Sequence, residues 1–166
     1  MGLHVFEIDR AAPHPGVNIS ADGLASRDTN GGWVTLRATQ PLSPGCTQFA
    51  VRIVDQGDGS DGSGLMIGVV PRLQQHAAPM LGSKYISELG GWCLSRAGES
   101  YGTWKCEPLP YGTGSVIEFD VDVTNKSVHI VCGSDSATGH VAGMSDADEL
   151  FPAISLYYQN QKVCFV

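Results

Sequence analysis

The chain has 166 residues, 42% hydrophobic and 16% charged, a balance that lets a globular domain bury a core without staples. Ten Lys and Arg against seventeen Asp and Glu leave a net charge of −7. That argues against a nucleic-acid backbone as partner, because such a site needs clustered cations to displace counterions. No apolar run reaches the length of a membrane span, so no membrane partner is expected. Leu3 to Ile8, interrupted by His4 and Glu7, does not read as a secretory leader. Five cysteines form no C-x-x-C pair, which reads as reduced thiols in an intracellular, cytoplasmic protein. Twenty-one glycines and nine prolines cut the chain into short apolar runs, the pattern of an all-β sandwich or barrel.

In chain order, Leu3 to Ile8 is expected to form a first short strand. Val17 to Ser20 and Leu24 to Arg27 flank Asp22-Gly23, a hairpin signal because both residues tolerate positive φ. Trp33 to Ala38 alternates, and residues 40 to 45 turn through two prolines. Phe49, Val51 and Ile53 share one face of the next strand. A Gly/Asp/Ser loop is expected over Asp55 to Gly64. Leu65 to Val70 is almost wholly apolar and predicts a strand covered on both faces. Pro71 to Lys84 reads as irregular, with a helical turn. Trp92 to Ser95 and Ser100 to Trp104 bracket a turn at Arg96 to Glu99, and Lys105 to Gly114 reads as a loop.

Ser115 to Val123 gives the clearest alternation, with Ile117, Phe119, Val121 and Val123 on one face and Glu118, Asp120 and Asp122 on the other. Ser127 to Cys132 returns after a turn at Thr124 to Lys126. Gly133 to Glu149 reads as a polar, mobile loop. Leu150 to Val166 reads as a terminal hairpin around Gln159-Asn160, with its first strand half-buried. Phe119, Val121, Ile67, Trp92, Leu156 and Phe165 are the expected core.

Candidate chemistry is sparse. Gly57-x-Gly59-x-x-Gly62 has the letters of a dinucleotide fingerprint, but a strand follows where a helix N-terminus is required. Asp55, Asp58 and Asp61 lack the twelfth-position Glu of a calcium loop, and no His pairs with a Cys at metal spacing. Cys93 lies mid-strand with no basic neighbour and reads as an inert buried thiol. His129 reads as an exposed sheet residue. No cofactor, metal or catalytic residue is assigned, and the chain is expected not to be an enzyme. Tyr85, Trp104, Tyr111, Tyr157 and Tyr158, in or beside predicted loops, are the aromatic candidates for binding, while Trp92 and Tyr101 read as core.

Several runs in order resemble the SPRY domain family. They are Arg37 to Gly45 with Phe49 to Ile53, Leu65-Met66-Ile67-Gly68-Val69, and Gly91-Trp92-Cys93-Leu94-Ser95 with Tyr101. Val116 to Asp122, Leu150-Phe151-Pro152-Ala153-Ile154-Ser155-Leu156 and Val163-Cys164-Phe165 complete the series. The resemblance covers residues 22–166 and leaves 1–21 as an N-terminal extension packed on the sandwich. It departs from the family at Trp104-Lys105 and over 133–149.

The resemblance implies a bent sandwich of two antiparallel sheets, jelly-roll and concanavalin-like in type. It also implies a monomeric, non-enzymatic module that binds a short peptide segment of a protein partner through a rim of loops. By position within the family pattern, Tyr158 and Tyr85 supply aromatic walls. Pro71 and Arg72 supply a third wall, Arg27 falls near a fourth, and Tyr157 and Gln159 flank Tyr158. Arg72 or Arg27 is then expected to engage an acidic or amide group. Two other readings remain open: a carbohydrate-binding lectin-like sandwich, marked by a stripe of His, Asn, Arg and Trp on one sheet face, and a regulatory domain of a larger multidomain protein.

Overall fold

The computed structural model describes residues 4–11, 14–44, 47–59, 62–72, 84–142 and 149–166. The strands are β1 (Val17–Ile19), β2 (Ala25–Arg27), β3 (Val34–Arg37), β4 (Gln48–Gln56), β5 (Leu65–Pro71), β6 (Trp92–Ser95) and β7 (Ser100–Tyr101). They continue with β8 (Trp104–Cys106), β9 (Val116–Asp122), β10 (Ser127–Cys132), β11 (Asp135–Val141), β12 (Leu150–Leu156) and β13 (Gln161–Phe165). Among the described residues they form two antiparallel sheets. The larger has eight strands in the order β1-β2-β13-β4-β9-β10-β11-β8, and the smaller five in the order β3-β12-β5-β6-β7. The expected two-sheet sandwich is the observed architecture. No helix among the described residues is long and apolar enough to cross a membrane.

Period-two patterning explains the larger sheet. On β9, Ile117, Phe119 and Val121 are buried while Glu118 faces solvent. β10 answers with Val128 and Ile130 inward and His129 exposed. The turn between them closes on Lys126 at φ 54, and Asp122 accepts the Asn125 amide. Phe119 stacks flat on Phe49 of β4 at 4.8 Å, and Phe49 meets Phe165 of β13 edge to face. All six expected core residues lie in one cluster between the sheets.

Six expectations fail in instructive ways. Leu150–Leu156 and Gln161–Phe165 are strands, but they do not pair as a hairpin. β12 lies between β3 and β5 in the small sheet, and β13 between β2 and β4 in the large one. The turn at 157–160 therefore crosses between sheets. β12 is buried on both faces. Ile154 and Leu156 enter the main core, while Phe151 and Ala153 face a second cluster with Met66, Val70, Cys93 and the 3₁₀ turn Ile86–Leu89.

The stretch read as a mobile loop contains β11, whose inward residues Ala137, Gly139 and Val141 are small or β-branched. β11 pairs in turn with β8, so Lys105 and Cys106 belong to a strand rather than a loop. Residues 143–148 lie outside the described residues. Finally, residues 4–8 are not a strand. Ile8 makes one bridge to Ala38, and Phe6 and Ile8 bury their side chains in the core. β4 also runs on through Gln56, past the expected loop start. The expected irregular stretch at 71–84 falls largely on residues 73–83, outside the described residues.

Candidate functional site

Four loops meet at the end of the sandwich where β12 finishes and β13 begins. They are residues 28–32, 57–59, 84–88 and 157–160. Hydrogen bonds tie 28–32, 57–59 and 157–160 to one another, while 84–88 is bonded to the small sheet and meets the others through the Tyr85 ring. Gln159 N–H donates to Asn30 Oδ1 at 2.8 Å, and Asn160 N–H donates to the Arg27 carbonyl at 2.8 Å. Asp58 N–H donates to the Gln159 carbonyl, and the Asn160 amide donates to both Asp58 oxygens at 3.0 Å. Asn160 stands at φ 66, a left-handed conformation that Asn tolerates better than most residues.

Gln161, 1% exposed, anchors this turn from below. Its Oε1 accepts the Tyr157 and Tyr158 amides at 2.8 and 3.0 Å. The Tyr158 ring lies over Gly59 and Gly64, where any Cβ would run into it. The glycines that mimic a dinucleotide fingerprint thus include one that gives room to a tyrosine.

On this scaffold sits a chain of aromatic rings. Tyr85 lies 5.1 Å from Trp33, Trp33 5.0 Å from Tyr157, and Tyr157 5.0 Å from Tyr158. All four are partly exposed. Tyr85 and Trp33 pack on the second cluster, over the outer face of the small sheet. Large, amphipathic rings held on loops of a rigid sandwich are the side chains that concentrate binding energy.

The residues singled out from sequence divide into three places. Tyr85, Tyr157, Tyr158 and Gln159 stand together here. Arg27 is 3% exposed and lies beneath the loops. Its guanidinium donates to the carbonyls of Pro15 at 2.7 Å, Gly31 at 2.8 Å and Gly32 at 3.0 Å. Burial pulls its pKa below the ordinary guanidinium value. It shapes the 28–32 loop and presents no free charge to a partner.

Pro71 and Arg72 lie at the far end of the small sheet. Pro71 pairs with Leu150 while Leu65 pairs with Leu156, so the length of β12, roughly 20 Å, separates them from Tyr157. Arg72 is paired with Glu149 and lies 5.6 Å from the centre of the Phe151 ring. That contact holds the Glu149 carboxyl below the usual carboxylate range. Arg37, paired with Asp9 at 3.2 Å, lies over the same Phe151 ring at 4.6 Å.

Sequence reasoning missed Trp33 and Asn30. The available signal was an aromatic placed directly after Gly31-Gly32, at the mouth of a strand rather than within it. Two other aromatic candidates turn inward. Tyr111 is buried and donates to the Leu94 carbonyl at 2.7 Å, and Trp104 donates from Nε1 to the Cys93 carbonyl at 2.9 Å.

Elsewhere, a groove of about 550 Å³ crosses the outer face of the large sheet, floored by Asp120, Asp122, Ser127 and His129. Its carboxylates are already engaged: Asp120 accepts from Thr47 and Gln48, and Asp122 from Asn125. None of its described lining residues is Phe, Tyr or Trp. Asp55 accepts the Gly57 amide, and Asp61 lies outside the described residues. No group of metal-ligating side chains forms among the described residues. The Cys93 thiol is buried and its pKa pushed up to about 12, far from a nucleophile's.

No protein-family model matches the chain, and no curated protein does. Solved structures do. A human SPRY domain superposes with a TM-score of 0.67 at 18% identity, covering 90% of this chain and 94% of its own. The fold is that of SPRY domains. The SPRY domain of human HERC1 gives a TM-score of 0.66 at 20% identity, covering 95% of this chain and 96% of its own. The neuralized NHR1 domain of Drosophila melanogaster gives 0.64 at 14% identity, covering 98% of both chains. At these identities the likeness speaks for the SPRY-like fold.

Proposed function

We propose that the chain is a member of the SPRY family and a non-catalytic, monomeric interaction module. It holds a short peptide segment of a protein partner against the rim formed by Trp33, Tyr85, Tyr157, Tyr158 and Gln159. The observation that supports this best is the unbroken run of four partly exposed rings on segments held by hydrogen bonds, to one another or to the small sheet, before any partner arrives. Side chains ordered in advance lose little entropy on binding.

Pro71 and Arg72 belong to the same reading only if the partner crosses the small sheet. An extended segment of about six residues covers that distance. Arg27 enters as the anchor of the 28–32 loop and not as a contact. The free thiols at Cys93, Cys106, Cys132 and Cys164 support an intracellular setting.

The test is a peptide-display selection on the wild-type protein, followed by calorimetric titration of the selected peptide. Tyr85→Ala and Tyr157→Ala are each expected to weaken it by about 2 kcal/mol, and Arg72→Ala to matter only for peptides of about six residues or longer. A selected peptide that binds wild type and both tyrosine variants equally well would move the site away from the rim.

A further inference from the structure

The residues on either side of Tyr85 are fixed to the small sheet by two hydroxyls that solvent does not reach. Thr35 on β3 and Ser155 on β12 are register partners, and both are fully buried. Thr35 Oγ1 lies 2.6 Å from the Lys84 carbonyl oxygen and 2.7 Å from Ser155 Oγ, and Ile86 N lies 3.1 Å from Ser155 Oγ.

A carbonyl only accepts, so the single Thr35 hydroxyl proton is committed to Lys84. Ser155 must then donate to Thr35, which leaves its lone pairs for the Ile86 N–H. The bonds therefore run one way: Ile86 N–H to Ser155, Ser155 to Thr35, Thr35 to the Lys84 carbonyl. The Lys84 carbonyl and the Ile86 amide belong to the two peptide groups that flank Tyr85. Both are gripped from the same spot on the sheet.

We infer that Thr35 and Ser155 are positioning residues that fix the backbone of Tyr85 and so hold its ring against Trp33, ready for a partner. The inference rests on the reading of Tyr85 as a rim contact. Two fully buried hydroxyls bring only desolvation unless they have partners. Their partners here are the peptide groups of one residue. Glu88 adds a third restraint, its carboxylate accepting the Tyr85 amide at 3.2 Å. The side chain is left with its ring rotations, while the backbone that aims it has none to lose.

Amide hydrogen exchange read by NMR, with no partner present, tests this on wild type, Thr35→Val, Ser155→Ala and Thr35→Ser. In Thr35→Val and Ser155→Ala the Ile86 amide is expected to exchange about tenfold faster or more relative to Ile154, in the centre of β12. Thr35→Ser keeps the hydroxyl and is expected to restore the wild-type ratio. An unchanged Ile86-to-Ile154 ratio in Thr35→Val overturns the inference, whether both amides speed up together or neither does. A ratio that Thr35→Ser fails to restore overturns it as well. Should Ser155→Ala not fold, the Thr35→Val and Thr35→Ser pair carries the comparison. Because no ligand is used, this outcome is separate from the affinity test of the rim itself.

Discussion

Gln161 donates from Nε2 to the Gly64 carbonyl at 2.8 Å, and so the first residue of β13 in the large sheet holds the residue that leads into β5 of the small one. The same side chain accepts the Tyr157 and Tyr158 amides. One buried amide thus satisfies three backbone groups at the point where the sheets converge. Gln161→Leu fills similar volume and satisfies none of them. Each orphaned group costs about 1–3 kcal/mol, so a loss of roughly 3 kcal/mol or more in urea unfolding is expected. A midpoint within error of wild type would mean that solvent reaches those groups.

Gly64 and Tyr158 should be coupled. The neighbours of a Cβ at Gly64 are atoms of the Tyr158 ring. Gly64→Ala alone is expected to cost about 1–3 kcal/mol by overpacking. In a Tyr158→Ala background the same change should cost less, by about 1 kcal/mol or more. A double-mutant cycle in denaturant gives the coupling directly, and additive effects would show that the ring is free to leave.

Phe119 is 1% exposed and stacked on Phe49, with the two rings 4° from parallel. Phe119→Ala should destabilise by about 3–5 kcal/mol, from lost transfer energy and the cavity left behind. The denaturant midpoint measures it, and an unchanged midpoint would contradict the inward facing of β9.

Alkaline pH should destabilise the fold. Burial raises the Cys93 thiol from an ordinary value of 9.0 to about 12, and raises the Tyr111 phenol well above its ordinary value. For each group the unfolded chain loses its proton at a lower pH than the folded one. Between about pH 9 and pH 12 the unfolded state therefore binds fewer protons, and stability falls as pH rises. The contribution is complete below pH 9. Each such group changes the folding equilibrium by up to about tenfold per pH unit. Unfolding curves from pH 8 to 11 should show the decline, and Cys93→Ala should flatten it.

The elements that could be read from sequence are those whose inward residues are large. β9 and β5 announce themselves through Ile117, Phe119 and Val121, and through an unbroken apolar run from Leu65 to Val70. β11 does not. Its inward positions are Ala137, Gly139 and Val141, and Gly139 is required because the Trp104 ring occupies the space of its Cβ. A strand that yields its volume to a neighbour's indole looks like a loop. The partnership of β12 and β13 was misread because alternation gives a strand's faces but not its sheet. Tyr85, Tyr157 and Tyr158 could be singled out because they lie beside turns between strands, and the structure places their rings in one run with Trp33, which sequence hid at the mouth of a strand. Arg27 was misplaced since sequence cannot say whether a guanidinium meets solvent or the carbonyls of its own loop.

The position of β13 also orders events during synthesis. β1 and β2 pair with each other, and among the described residues β2 meets the rest of the large sheet through β13, at Lys162–Ser26 and Val163–Ala25. Until residues 161–165 leave the ribosome, the facing edges of β2 and β4 remain unpaired, and such edges invite pairing with other chains. Until then the domain exists as two incomplete halves of a sheet, and the strand that joins them follows the twelve other described strands in sequence. Its vulnerable interval is therefore the time before translation of this segment ends, when shielding by a chaperone would matter most.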